Sequence, residues 1–261
     1  MATIRVLADA DAVAEAAAQE FVAVMATAIA ERGVAHVALT GGSSVPGLYR
    51  HLVGPLGRGG IDWWRVELWW GDDRIVHAGD RASHAHAAME TLLGLGSPAC
   101  MARVHPLPID LAIRPDPGPD HAAEAYAALL RQRLPAGPDG LPVFDLVLLG
   151  MGGDGHILSV FPESPALAPD APLVMAIPAP AHIEPFLPRL TLNPRLIGIA
   201  RHVLVMCTGA GKAARVAEVL EGPLDVARLP AQLARGDNAV WLLDAAAGAR
   251  LTGRPAGNKA V

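Results

Sequence analysis

The sequence predicts an α/β protein built on a mostly parallel sheet with helices on both faces. Apolar runs of strand length recur along the chain, and segments with helical periodicity alternate with them. Bulk composition agrees: 261 residues, 52% of them hydrophobic and 18% charged, hold core material for one large α/β domain or two small ones.

In chain order, residues 3–7 read as a short strand. Asp9 and Asp11 then signal a helix N-terminus, and an alanine-rich helix runs to Arg32 and Gly33. Further strands are expected at 34–39, 66–70, 144–149, 173–177, 203–207 and 239–243. Helical patterns lie between them at 44–54, 82–93, 118–134 and 209–220. Pro- and Gly-rich stretches at 94–119, 135–142 and 162–188 are long connections, a class that tends to be functional or mobile. No stretch reads as a linker and no repeat is visible, so 1–252 is expected to be a single domain and 253–261 a frayed tail.

Charge and cysteine content narrow the function classes. A net charge of −5 leaves no overall basic footprint, which argues against nucleic acid as a partner and favours a small substrate. Cys100 and Cys207 form no paired motif and the start shows no charged-then-apolar leader, so a cytoplasmic protein without a disulfide framework is expected. The longest apolar stretches are read as interrupted short of the ~20 residues of a membrane span, so no membrane partner is expected.

In a parallel sheet ligands gather beyond the carboxyl ends of the strands, and four such ends carry chemistry. In TGGSS, Gly41 and Gly42 let the backbone approach a ligand. Ser43 and Ser44 offer hydroxyls, and the helix beginning near Pro46 offers free N–H groups. The loop lacks the Walker A ending and the dinucleotide GxGxxG pattern. It is either a phosphate cradle or an ordinary strand-to-helix turn. In WWGDDR, Asp72, Asp73 and Arg74 follow a strand as an anion clamp or a surface salt bridge. The tryptophans at 63, 64, 69 and 70 read as packing. In DLVLLGMGGDGH, four glycines surround Asp154 and deliver His156 at an expected helix start. A histidine there can take a proton from water, with Asp154 or a neighbouring acid holding its tautomer, although residues two apart need not face one another. In CTGAGKA, Lys212 can supply a point charge to a phosphate. The histidines at 77, 84 and 86 have permissive but undiagnostic spacing for a metal and are read as structural or incidental.

Taken in this order, TGGSS, GDDR, LLGMGGDGH with Ser159-Val-Phe-Pro162, then Pro188-Arg-Leu-Thr-Leu192 and GAGKA, the motifs resemble the 6-phosphogluconolactonases of the pentose phosphate pathway, within the glucosamine-6-phosphate deaminase-like superfamily. The resemblance implies a Rossmann-like, deaminase/phosphogluconolactonase-type α/β fold. It also implies hydrolysis of 6-phospho-D-glucono-1,5-lactone with no required metal or organic cofactor. Carried over by motif position, His156 looks like the general base with Asp154 beside it. Gly41, Gly42, Ser43, Asp72, Arg74, Arg189 and Lys212 look like the substrate and phosphate contacts.

The chain departs from the usual family pattern at three places: Asp73 for Glu, His84 for Asn and Ile157 for Thr. Gly-His-Ile also occurs in the deaminase branch, but that branch's Asp-Glu-Tyr motif and Phe-Asn-Glu-Pro continuation are missing here. An amino-sugar-phosphate isomerase/deaminase and a non-catalytic sugar-phosphate binder remain as alternatives. The expected state is a monomer or a small homo-oligomer.

Overall fold

A computed structural model describes residues 1–253; the expected tail at 254–261 lies outside the described residues. The chain runs β1 (Thr3–Leu7), α1 (Ala10–Arg32), β2 (Ala35–Leu39), α2 (Val45–Val53), α3 (Pro55–Gly60), β3 (Val66–Trp70) and β4 (Asp72–Arg74). Next come α4 (His84–Thr91), β5 (Arg103–His105), α5 (Ile109–Ala112), α6 (Gly118–Arg133), β6 (Leu146–Gly150) and β7 (Val174–Ile177). The last elements are β8 (Arg189–Leu192), α7 (Arg195–Ile199), β9 (His202–Cys207), α8 (Ala213–Glu221) and β10 (Ala239–Asp244).

Seven strands form a parallel sheet in the order β1-β10-β9-β6-β2-β3-β5. From β2 the chain steps outward through β3 to β5, then returns to β6 and steps the other way through β9 to β10. The topological switch point therefore lies between β2 and β6, where the loops diverge and leave a crevice at the strand carboxyl ends. β2, β3 and the first four residues of β6 are fully buried, as strands covered on both faces must be.

Helix α1 is 23 residues long, and by length and composition it could cross a membrane, which corrects the expectation that every apolar stretch is too short. Its alanines carry the hydropathy. Val13, Ala17, Ala18, Phe21, Met25 and Ala28 are buried, so the apolar face is used in the core against α2, α3 and the sheet. Asp9 caps it by accepting from Ala12 N at 2.9 Å, and Gly33 closes it in the left-handed region.

A second sheet corrects the expectation for residues 173–177. The segment is a strand, β7, but it pairs antiparallel with β8, which pairs antiparallel with β4. A parallel strand needs a crossover, usually helical, and no α-helix separates β6 from β7. The expected long connections also hold structure: 94–119 contains β5 and α5, and 162–188 contains β7. Trp63, Trp69 and Trp70 are buried as packing residues, whereas Trp64 is 71% exposed.

The end of the sheet opposite the crevice is stapled by Asp145, just before β6 and 2% exposed. One carboxylate oxygen accepts from Arg32 Nε at 3.0 Å and lies 3.3 Å from Arg201 Nε; the other accepts from His36 N at 2.8 Å. One side chain thus ties the end of α1, the start of β2 and the approach to β9. Removing it leaves the buried His36 N–H unpaired and takes a partner from half-buried Arg32 and exposed Arg201. Asp145→Ala should lower unfolding free energy by about 2–3 kcal/mol. Urea titration would show this as a lower midpoint at unchanged slope, and a loss under ~0.5 kcal/mol would refute the staple.

Candidate active site

Four adjacent strands, β9, β6, β2 and β3, send their carboxyl-end loops into one cavity of about 220 Å³. Gly41, Gly42, Ser43, Asp72, Arg74, His156, Arg189 and Lys212 all line it. Asp154 stands behind His156 and does not line the wall.

The segment after β6 is the centre of the site. It is not a helix start, contrary to expectation. Residues 151–160 form turns, with Leu158 in the left-handed region at φ 53° and a single bridge between Ile157 and Val160. A bulky residue held there breaks helical propagation, and such outliers gather at functional sites. The turn closes through Gly152 N to His156 O at 2.9 Å and Gly155 N to Gly152 O at 3.1 Å. This folding back makes two residues only two apart face one another: His156 Nδ1 lies 2.6 Å from Asp154 Oδ1, which also accepts from His156 N at 3.1 Å. Only glycine fits at 152, because a Cβ there would stand 2.1 Å from His156 Nδ1. Burial pushes the Asp154 carboxyl upward, but the hydrogen bonds and charge of His156, with His182, hold it well below the usual carboxylate range. It is therefore the anionic partner of an imidazole whose Nε2 has no protein partner among the described residues.

The antiparallel pairing of β4 and β8 sets Arg74 directly opposite Arg189. Opposite residues in such a ladder project from the same face, and like charges there repel. Arg189 is 3% exposed, with Nη2 donating to Pro185 O at 3.1 Å and its guanidinium 4.8 Å above the Phe161 ring. Burial and the neighbouring Arg74 lower its pKa. Arg74 donates through Nη1 to Ala82 O. Arg74 Nε and Arg189 Nη1 are buried without a protein hydrogen-bond partner. Two opposed cations with unsatisfied donors on one cavity wall have the chemistry to hold an anion.

The acids divide their work. Asp73 is not a ligand; it accepts from Arg74 N, His84 N, Ala85 N and Ser83 Oγ at 2.6–2.9 Å and clips the start of α4 to β4. Asp72 is 2% exposed and accepts from Ser159 Oγ at 2.6 Å. Burial pushes its carboxyl up, but His84, Ser159 and Arg74 hold it well below the usual range. As an anion it partly balances the arginine pair, and its Oδ1 is buried without a hydrogen-bond partner among the described residues, so Asp72 lines the cavity with an acceptor to spare. Ser159 is spent on Asp72.

Ser44 has no capping bond to α2; instead its Oγ lies 3.0 Å from Thr208 Oγ1, joining the β2 and β9 loops. Asp244 accepts from Gly209 N at 3.0 Å and orders the turn that carries half-buried Lys212. His84 packs beneath the glycine loop: a Cβ on Gly41 would meet its Cδ2 at 1.9 Å. Its Nδ1 lies 3.1 Å from Asp72 O, and its ring lines both this cavity and a neighbouring one of about 260 Å³. Ile157 is fully buried in the core and does not line the cavity. Among the described residues no three His, Cys, Asp or Glu side chains are grouped to hold a metal ion. His86 faces Glu90 at 3.4 Å, away from any such cluster.

Sequence reasoning misses His182, whose Nε2 lies 2.8 Å from Asp154 Oδ2. A lone histidine in the proline-rich run from Pro178 to Pro188 carries no spacing signal.

The fold and site define an α/β protein whose cleft, at the switch point of a parallel sheet, carries a histidine–carboxylate pair and two opposed arginines. Comparison makes that class specific. The family model described as glucosamine-6-phosphate isomerases/6-phosphogluconolactonase matches residues 8–242, and the chain belongs to this family. It is 36% identical over 250 residues to the 6-phosphogluconolactonase of Streptomyces coelicolor, covering 93% of this chain and 92% of that protein. It is 34% identical over 250 residues to the 6-phosphogluconolactonase of Homo sapiens, covering 90% and 91%. The solved 6-phosphogluconolactonase from Trypanosoma brucei superposes with a TM-score of 0.83 at 30% identity, over 97% of this chain and 99% of that one.

The His84–Gly41 contact makes a sharp prediction. Gly41→Ala should cost about 1–3 kcal/mol by overpacking, and much less when His84 is already Ala. Denaturant titration of both single variants and the double variant would measure the coupling. Additive costs would contradict the contact.

Proposed function

We propose that this protein hydrolyses 6-phospho-D-glucono-1,5-lactone to 6-phospho-D-gluconate, the lactone-opening step of the oxidative pentose phosphate pathway. The observation that carries the reading is the pairing of two elements in one cavity: a histidine with Nδ1 held by a carboxylate, and two opposed arginines with unpaired donors. A lactone bearing a distant phosphate needs both.

The phosphate binds Arg74 and Arg189, with Lys212 and the Gly41-Gly42-Ser43 loop completing the cradle. That remote grip orients the ring carbonyl. His156 Nε2 takes a proton from water as the water oxygen attacks the carbonyl carbon, and the carbonyl electrons move onto oxygen. Asp154 holds Nδ1–H and stabilises the imidazolium. When the tetrahedral intermediate collapses, the ring C–O bond breaks and the imidazolium returns its proton to the leaving ring oxygen. A positioned base of this kind contributes about 10²–10⁴-fold. Ser159 is already donating to Asp72, so no serine nucleophile is invoked. We further read 1–252 as one lactonase unit acting in the cytoplasm; a single buried core cluster spanning Val13 to Ala247 supports the first part.

Decay of freshly generated lactone above its spontaneous rate, with ammonia release from glucosamine 6-phosphate followed in parallel, tests the reading. Acceleration of the first alone is expected, and ammonia release would assign the deaminase reaction instead. His156→Asn should lower kcat by about 10²–10⁴-fold at similar KM, whereas Arg189→Ala should chiefly raise KM. Unchanged turnover in His156→Asn would remove it as the base.

A further inference from the structure

Asp154 engages two histidines, and the reaction just described uses only one. Oδ1 serves His156, through Nδ1 at 2.6 Å and the backbone N at 3.1 Å, while Oδ2 lies 2.8 Å from His182 Nε2. Among the described residues His182 supplies the hydrogen bond to Oδ2. A carboxylate held by one oxygen can turn about its Cβ–Cγ bond; held by both, its plane is fixed.

The surroundings of His182 extend this bracing. Its ring stands edge-on to Phe161 with centroids 5.8 Å apart, and Phe161 in turn lies 4.7 Å from the His156 ring and under the Arg189 guanidinium. His182 sits on the connection between β7 and β8, the same connection whose Pro185 carbonyl accepts from Arg189 Nη2. One surface segment therefore braces the carboxylate behind the base at one point and the anion clamp at another. With its side chain half exposed, His182 is not needed to fill the core.

We propose that His182 is a positioning residue: by holding Asp154 Oδ2 it fixes the carboxylate against His156 Nδ1 and so sets the imidazole for proton transfer at Nε2. The kinetic consequence rests on the lactonase reading, but the hydrogen bond itself does not.

The test compares the wild-type protein with His182→Ala and His182→Gln, the latter keeping an amide donor near the position of Nε2. In the free proteins, proton NMR reads the His156 Nδ1–H resonance, assigned by its loss in His156→Asn. Wild type and His182→Gln should show a protected downfield signal, and His182→Ala should show it broadened or lost. In lactone hydrolysis, His182→Ala should lower kcat about tenfold with KM changed less than twofold, and His182→Gln should recover most of the loss. An unchanged signal and unchanged kcat in His182→Ala would overturn the proposal, as would a His182→Gln variant as impaired as His182→Ala. A wild-type protein with no lactone hydrolysis would sink the lactonase reading alone, leaving the NMR comparison to decide the role of His182.

Discussion

Two guanidinium groups standing directly opposite each other in an antiparallel ladder cannot be an economical way to build a sheet. Arg74 and Arg189 are brought there by the register of β4 on β8, with Arg189 almost wholly buried. At short range such repulsion is worth on the order of a few kcal/mol, and each arginine also leaves a buried donor unpaired. Asp72 offsets part of the charge, while Asp73 clips the approach to α4 and keeps β4 in register. The arrangement makes physical sense when an anion completes it.

The arginine pair is joined to the His156–Asp154 pair by topology. β3 passes through Gly71 directly into β4, so the main sheet delivers Arg74 to the crevice, and the switch point between β2 and β6 opens beside it. β6 ends in the turn that folds Asp154 back on His156. The glycines of these loops serve close approach: Gly41 leaves room for the His84 ring, and Gly152 leaves room for the His156 ring. The departure His84 therefore has a physical reading, since its imidazole fills the space beneath the glycine loop and contacts the Asp72 backbone.

Much of this was legible in the sequence. Continuous apolar runs locate β2, β3, β6, β9 and β10, because strands buried on both faces need no alternation, and the glycine-rich ends of four of them locate Gly41, Arg74, His156 and Lys212. What was not legible depends on pairing or on local turns. β4 and β5, at three residues each, are too short for periodicity, and the opposition of Arg74 and Arg189 exists only once the register of β8 is known. The segment after His156 reads as a helix but is held as turns by the Ile157–Val160 bridge and left-handed Leu158. His182 reaches Asp154 across 28 positions, beyond any local pattern.

On the proposed reading the opposed arginines hold the phosphate of the substrate and thereby aim its carbonyl at His156. The most direct measurement is the ratio of kcat/KM for 6-phosphoglucono-1,5-lactone to that for unphosphorylated glucono-1,5-lactone, each corrected for spontaneous opening. A ratio of roughly 10³ or more is expected, because the remote phosphate supplies binding energy that the bare sugar lacks. Equal values for the two lactones would contradict it.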